Sequence, residues 1–390
     1  MKLKSLGNRI FVVMSPASVL LSPSLRLPRR GVKRRNSGSH PITIGSCTFR
    51  SLMGLLVFSF FLSSHLEAQT DTLNVDNINK EIKTINTPAP NDSWSSRPPG
   101  YNYSNLTPGQ KKKRQWLIGG INVAGYGGSF YFLNKAWYKD YPKTSFHTFN
   151  DSREWLQVDK MGHSWTAYNT SRGSAAMWRW AGVSQKKAAW IGGLSGAAYL
   201  TVIELLDGRS SKWGWSWSDI AANYTGSALF VGQELAWQEQ RIQFKFSFHK
   251  KKYGDPQLEQ RADDLFGMSL PERMLKDYNA QTYWLSVNLK SFFKQSKLPP
   301  WLNIAVGYGA DGMYGGFENK WLDQLGNEMN RTDIPRKRQF YVAPDIDFTK
   351  IKTSSKLLRT CFAVLNCLKM PAPALMMDSK GKFKAYPFYF

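Results

Sequence analysis

The chain has 390 residues, room for two or three domains, and a formal net charge of +24. Its cysteines are Cys47, Cys361 and Cys367, with no CxxC pair and no Cys/His cluster, which argues against a disulfide framework and a cysteine-based zinc site. The basic excess comes without an RNP motif, zinc-finger spacing or helix-turn-helix pattern, so nucleic acid is not an expected partner. Aromatic residues make up 14% of the chain, a load typical of proteins that contact membrane interfaces.

Residues 1–69 are expected to be a leader that carries a secretory signal peptide. Leu52–Leu62 is an apolar run of signal-peptide length, too short to span a membrane, between the basic Arg50 and a cleavage site near Ala68. We therefore predict export to the cell envelope, on the periplasmic side of the outer membrane or otherwise membrane-associated. The chain outside the leader is still basic, which favours attraction to anionic lipid.

Residues 70–109 are rich in polar residues and proline and predict a linker. Residues 110–240 predict a helical domain, rich in Gly, Ala and Ser that permit close helix packing. Charged residues interrupt these helices, so a membrane-embedded, interfacial or soluble bundle all stay open. The four helices are predicted over about 116–138, 155–180, 184–206 and 218–237.

From residue 241 to 390, apolar and polar residues alternate as in antiparallel strands with one buried face. Strands are predicted over 242–248, 283–289, 302–308, 338–348 and 383–390. Pro344 and Pro387 favour edge positions for two of them. Single-chain barrels need about eight strands, so a small sheet and a partial barrel are both open. The predicted fold class is α+β: a four-helix bundle domain followed by an antiparallel β-rich domain.

Three short polar motifs interrupt the apolar helical sequence: Val158–His163 (VDKMGH), Glu204–Gly208 (ELLDG) and Ser218–Gly226 (SDIAANYTG). Ionisable groups are costly to bury in apolar surroundings, so they usually come with partners or with a function. The i,i+4 spacing within the first and third motifs puts their polar side chains on one helix face. We therefore predict that the three motifs meet in a single polar site.

Seven side chains make up this predicted site. The catalytic candidates are His163, Glu204 and Asp219, and the surrounding pocket is Asp159, Lys160, Asp207 and Asn223. His163 suits proton transfer near neutral pH, and together with Glu204 and Asp219 it would also suit a divalent metal. The same residues would equally serve as buried polar ties that fix helix packing without chemistry. The spacings match no known ligand motif, so the sequence assigns neither a cofactor nor a metal.

The order of the motifs, DKxxH, a Glu before a turn, a Trp-rich segment and SDIAANYTG, resembles the YfiM-like family of predicted periplasmic lipoproteins of unknown function. The resemblance covers roughly residues 110–240. A similar order is found in VanZ-like membrane proteins, and the segments Tyr341–Phe348 and Lys369–Pro373 resemble longer Bacteroidetes-type members. The resemblance implies an envelope location and a shared site at the seven polar positions, without an activity. This chain lacks the lipobox cysteine, so a lipid anchor is not expected.

The leading functional expectation is an exported cell-envelope protein of unknown activity that binds or organises an envelope lipid or a cell-wall component. One alternative is a hydrolase or transferase on an envelope lipid or glycan, with His163 as acid or base and with Glu204 and Asp219 positioning it. Another alternative is an outer-membrane β-barrel protein. Whether the protein is an enzyme stays open at this point.

Overall fold

The computed structural model describes residues 106–134, 138, 141–323 and 325–389. The predicted leader, 1–69, and the predicted linker up to residue 105 lie outside the described residues. Within them the chain folds as α+β, with long helices first and an antiparallel sheet after them, as predicted.

The four long helices expected from the sequence are all present. They are α1 (Pro108–Leu133), α2 (Val158–Trp180), α3 (Gln185–Asp207) and α4 (Trp217–Ala236). α1 begins before its predicted start because Thr107 and Gln110 form a capping box, with Pro108 at the first helical position. α4 begins where Ser216 Oγ accepts a hydrogen bond from the Asp219 backbone N–H.

α2 begins three residues later than predicted. Trp155, Leu156 and Gln157 have φ angles of 48°, 50° and 63°, in the left-handed region that residues other than glycine rarely adopt. A left-handed turn does not continue into a right-handed helix, so the predicted start at Trp155 was wrong. As a result Asp159 lies in the first turn of α2.

Small residues allow α2, α3 and α4 to pack closely against one another. A Cβ added at Gly196 of α3 would lie 2.4 Å from Ser171 Oγ, and one added at Gly226 of α4 would lie 2.0 Å from the Ser164 carbonyl oxygen. Ser164 Oγ also donates a hydrogen bond to the Ala222 carbonyl at 2.8 Å. The backbones of α2 and α4 are therefore close at the level of the first and third motifs.

α3 is the described helix that is long and apolar enough to cross a membrane by length and composition. Only 39% of its apolar stretch is buried, and Trp190 and Leu194 are more than half exposed. Core helices of soluble proteins can have the same length and apolar composition.

In the described residues after the bundle the chain forms eight strands. They are β1 (Ile242–Phe248), β2 (Gln281–Asn288), β3 (Leu302–Asp311), β4 (Lys320–Leu322), β5 (Glu328–Asn330), β6 (Lys337–Ile346), β7 (Ala372–Asp378) and β8 (Phe383–Tyr389). Short helices in the connections are α5 (Pro256–Phe266), α6 (Leu270–Lys276), α7 (Leu289–Phe292) and α8 (Lys356–Leu365). The five predicted strands correspond to β1, β2, β3, β6 and β8, whereas β7 was not predicted.

The main sheet is antiparallel, with the strand order β1-β2-β3-β6-β7-β8, and β4 pairs with β5 separately. Among the described residues the sheet is open, since β1 and β8 are its two ends. The edge of β1 is partly covered, because Phe246 exchanges backbone hydrogen bonds with Cys367 and Lys369. The small-sheet alternative is thus the one observed, because the main sheet has six strands and a single-chain barrel needs about eight.

The two prolines in the strands differ in position. Pro387 lies in the edge strand β8, as expected. It is next to the point where the pairing of β8 with β7 shifts register, between Ala372 and Ala374 of β7. Pro344 lies in β6, an internal strand, so the edge prediction was wrong there. It is tolerated because the pairing of β6 with β7 covers only Gln339–Val342, and no β7 carbonyl needs a donor at Pro344.

The sheet packs against the bundle through α2. Phe244 and Phe246 of β1 and Tyr283 of β2 share a buried cluster with Val158 and Tyr168 of α2. Burial of aromatic side chains of this size is the main stabilising contribution at such a contact. The start of α2, with its polar motif, therefore lies between the other helices and the sheet.

Gly226→Ala should destabilise the fold by roughly 1–3 kcal/mol, because the added methyl group overlaps the Ser164 carbonyl and forces α4 away from α2. Gly232→Ala on the same helix is the matched control, since nothing lies within 4 Å of a Cβ placed there. That variant should be neutral or stabilised by up to about 1 kcal/mol, because alanine is the better helix former. Urea unfolding followed by circular dichroism measures both. Equal effects of the two substitutions would contradict the close approach of α2 and α4.

Candidate functional site

The three polar motifs meet at one end of the bundle, where α2 and α4 begin and α3 ends. Asp159 lies in the first turn of α2, and Asp219 lies in the first turn of α4. Glu204 and Asp207 lie in the last turn of α3. Carboxylates near helix N-termini are favoured by the helix dipole, which helps to explain the positions of Asp159 and Asp219.

Lys160 is the centre of one half of the site. Its Nζ lies 2.7 Å from Asp151 Oδ2, 3.1 Å from Asp159 Oδ2 and 2.6 Å from Asp219 Oδ1. The side chain is only 8% exposed, so these three carboxylates replace water around an ammonium group that has three protons to donate. Burial acts against the charge of Lys160, but Asp159 and Asp219 outweigh it and hold its pKa above the ordinary value.

His163 is the centre of the other half, and its two ring nitrogens face different groups. Nδ1 lies 3.1 Å from Asn223 Oδ1 and 3.7 Å from Glu204 Oε1. Nε2 lies 3.6 Å from Asp219 Oδ1 and 4.0 Å from Asp159 Oδ1. The His163 and Asp159 side chains are 22% and 19% exposed, so the site is open to solvent on this side.

The carboxylates around His163 determine its charge. Burial disfavours the imidazolium, but Asp219, Asp159 and Glu204 outweigh this effect and raise the pKa of His163 to about 9. Burial raises the pKa of Asp219 to about 7 and that of Glu204 to about 8, against the opposing charge of His163. At neutral pH the site therefore holds protons on His163 and Glu204, with Asp219 near its midpoint. A proton can be exchanged among these groups without a strongly basic or acidic partner.

Three buried atoms beside His163 make no hydrogen bond among the described residues, and one of them, Asp219 Oδ1, is ion-paired with Lys160 Nζ at 2.6 Å. The other two are Glu204 Oε1 and Asn223 Nδ2. The Glu204 side chain is 2% exposed, and Asn223 is fully buried. A buried polar atom left unpaired costs about 1–3 kcal/mol, so a group that satisfies both atoms would be bound favourably.

Six of the seven predicted residues are therefore in mutual contact, and one lies apart. Asp207 Oδ1 accepts a hydrogen bond from the Tyr138 hydroxyl at 2.8 Å. Burial raises the pKa of Asp207 to about 6. Its direct partner is Tyr138 rather than His163, so it borders the site without joining it. The proposed roles of all seven residues in binding or catalysis stay predictions.

Sequence reasoning missed three contributors. Asp151 ties the loop before α2 to the start of α4, since it accepts hydrogen bonds from Ser216 Oγ and Ser218 Oγ at 2.5 and 2.6 Å. Tyr278, which precedes β2, donates to Asp159 Oδ1 at 2.8 Å. Burial and the nearby Asp159 raise the pKa of Glu154 to about 7. These residues lie outside the periodic helical patterns, so their sequence context gives no signal.

A divalent metal would find ligands on the Nε2 side of His163. One ligand atom each from Asp159, His163 and Asp219 lies within 4.8 Å of the other two. Imidazole nitrogen and carboxylate oxygen together suit zinc or manganese. Glu204, which the sequence suggested as a ligand, faces Nδ1 instead and would orient the ring. Lys160 shares Asp159 and Asp219 and competes with any cation there.

Part of the helical region matches a known protein family. Residues 148–232 match the model of the family described as "Predicted periplasmic lipoprotein (DUF2279)". The matched segment contains Asp151 and all seven residues of the predicted site. No curated protein and no solved structure matches the chain. The match agrees with the resemblance to periplasmic lipoproteins of unknown function, whereas the resemblances to VanZ-like proteins and to Bacteroidetes-type members stay predictions.

Lys160→Met should lower the free energy of unfolding by about 3–5 kcal/mol at neutral pH, because it leaves the buried Asp151 and Asp219 and the partly exposed Asp159 without their shared cation. The deficit should shrink as the pH falls. In the variant these carboxyl groups have a higher pKa in the folded state than in the unfolded state. Lowering the pH therefore stabilises the variant relative to the parent.

The matched control is Lys187→Met on α3, an exposed lysine whose loss should change stability by less than about 0.5 kcal/mol. Denaturant unfolding at neutral and mildly acidic pH measures both variants. A deficit for Lys160→Met no larger than that of the control would contradict the ammonium-centred cluster.

Proposed function

We propose that this protein works in the cell envelope and that its helical part binds a hydroxyl-bearing envelope component, a lipid headgroup or a glycan, at the His163 site. The match of residues 148–232 to predicted periplasmic lipoproteins supports the envelope location. The observation that carries the binding proposal is the pair of unpartnered buried atoms, Glu204 Oε1 and Asn223 Nδ2.

A hydroxyl fits this pair better than other common groups. It donates one hydrogen bond, which Glu204 Oε1 accepts, and it accepts another, which Asn223 Nδ2 donates. A bare phosphate is disfavoured as the group bound there, since four carboxyl groups surround only two cationic side chains, Lys160 and His163.

A second candidate function is hydrolysis or group transfer on the same component. It is favoured by the position of His163 Nε2, 3.6 Å from Asp219 Oδ1, in a site where both groups exchange protons near neutral pH. His163 would protonate the leaving oxygen of an ester or glycosidic bond. Asp219 would then accept a proton from the attacking water or hydroxyl.

The binding proposal is tested with two soluble probes in isothermal titration calorimetry. Muropeptides represent the cell-wall glycan, and short-chain phosphatidylglycerol below its micelle concentration represents the lipid headgroup. We expect the parent protein to bind one of them. At a pH above the Glu204 pKa of about 8, Glu204→Gln should bind that probe at least about tenfold more weakly, because a charge-assisted hydrogen bond is replaced by a neutral one.

Glu239→Gln is the matched control, since Glu239 pairs with Arg241 and Lys350 outside the site. This variant should bind as the parent does. Binding of neither probe, or equal affinity of Glu204→Gln and the control, would contradict the proposal. Mass spectrometry of the same mixtures separates the two candidate functions: a new product that His163→Gln fails to form, at unchanged affinity, indicates catalysis.

A further inference from the structure

The outer face of the main sheet carries a continuous apolar surface. Leu285, Val306, Val342 and Leu375 are direct partners in one row across β2, β3, β6 and β7. Their exposed fractions lie between 43% and 65%. The four side chains lie on adjacent strands, each one strand spacing from the next, and therefore form a ridge in contact with solvent.

A second set of residues widens this ridge on both sides. Tyr308, Phe340, Met377 and Phe383 are partners in a parallel row, and the last three are exposed. Ile304, two residues before Val306, is also exposed. We call the exposed residues of both rows, together with Ile304, the outer apolar face. Its members are Leu285, Ile304, Val306, Phe340, Val342, Leu375, Met377 and Phe383.

The inner face of the same sheet is polar at its centre and buried. Lys245 Nζ lies 2.8 Å from Asp345 Oδ2, and both side chains are fully buried. Ser286 Oγ donates to Asp345 at 2.6 Å, and Asn303 Nδ2 donates to Ser286 Oγ at 2.8 Å. A sheet of a water-soluble protein turns its polar face outward. Here the buried inner face also holds an aromatic cluster that includes Trp284, Tyr341 and Tyr389, while the exposed outer face is apolar, as in strands that face lipid.

The bundle covers only one side of this outer surface. Phe244 and Phe246 of β1 and Tyr283 of β2 project from the same face and are buried against α2. Beyond them the surface continues over β3, β6, β7 and β8 with exposed side chains. An exposed apolar patch of this extent marks a site of interaction.

The sheet end at which β2 leads to β3 is basic and aromatic. Residues 289–301 contain Lys290, Lys294 and Lys297 and no acidic residue. Phe293 and Trp301 in this connection are exposed. Lysines with exposed aromatic side chains are typical of the headgroup region of a membrane.

The connection from β6 to β7 leaves from the same end, since Leu302 at the start of β3 pairs with Ile346 at the end of β6. It contributes α8, an amphipathic helix without a buried residue, on which Leu357 and Leu358 are exposed. Lys350, Lys352, Lys356 and Arg359 lie in residues 347–366, whose one carboxylate, Asp347, is buried, and Lys350 pairs with Glu239. The basic end therefore has exposed apolar side chains and a strong positive charge next to the outer apolar face.

We propose that the outer apolar face lies against the hydrocarbon of a bilayer that contains anionic lipid, with the basic end at the headgroups. The exposed apolar side chains of the outer face account for the contact with hydrocarbon, and the lysines account for the charge of the lipid. A second copy of the chain fits this surface less well, because its own basic end is also positive and offers no negative charge to pair with the lysines. This contact is separate from the His163 site.

The test places an environment-sensitive fluorophore on the face. Leu375→Cys is labelled in full-length protein purified from exporting cells, in a background where Cys47, Cys361 and Cys367 are replaced by serine. Vesicles of phosphatidylethanolamine and phosphatidylglycerol, with brominated acyl chains as quenchers, are then added. Leu325→Cys is the matched control, because Leu325 is 85% exposed but lies in the turn between β4 and β5. Circular dichroism verifies that both labelled proteins keep the parent fold.

Quenching at Leu375 but not at Leu325 is the expected result, together with at least about tenfold weaker binding to neutral phosphatidylcholine vesicles. Absence of quenching at Leu375 would overturn the proposal, even if the protein bound vesicles by another part. Shielding of the Leu375 fluorophore without vesicles, increasing with protein concentration, would also overturn it and assign the face to a second copy. Equal binding to neutral and anionic vesicles would remove the role of the basic end.

Discussion

A buried ammonium group imposes the main constraint on this fold. Lys160 can be removed from water only if carboxylates surround it, because an unpaired buried charge costs several kcal/mol. Its three partners come from separate segments: Asp151 from a loop, Asp159 from α2 itself and Asp219 from α4. Satisfying Lys160 therefore fixes the loop, α2 and α4 relative to one another. Alternative arrangements of these small-residue helices would leave at least one of the four charges unpaired.

The same assembly gives His163 two different surroundings. Asp159 and Asp219, already engaged by Lys160, face Nε2, whereas Glu204 and Asn223 face Nδ1. The Nε2 side is thus tied to structural ion pairs, and the Nδ1 side carries the unpartnered atoms. A residue network can in this way stabilise helix packing and still offer a polar site, so the structural and functional readings of the motifs are compatible.

Much of this arrangement could be predicted, and the rest depends on contacts that leave no local pattern. The i,i+4 spacing of Asp159 and His163 predicted a shared helix face, and period-two alternation predicted five of the six strands of the main sheet. β7 was missed because Pro371 and Pro373 hide its alternation, and Tyr278 reaches Asp159 across 119 positions of the sequence. Alternation also defines two faces of a strand without saying which is buried, so the exposure of the outer apolar face appears only in three dimensions.

The central claim is that acidic groups from three motifs surround one imidazole, and a titration of His163 tests it most directly. The chain has five histidines, so nitrogen NMR of histidine-labelled protein resolves the ring, and His163→Gln assigns its signals. The pKa of His163 should be near 9 instead of the ordinary 6.5, and Asp219→Asn should lower it. A pKa at or below 6.5, unchanged by Asp219→Asn, would show that the motifs do not meet around this residue.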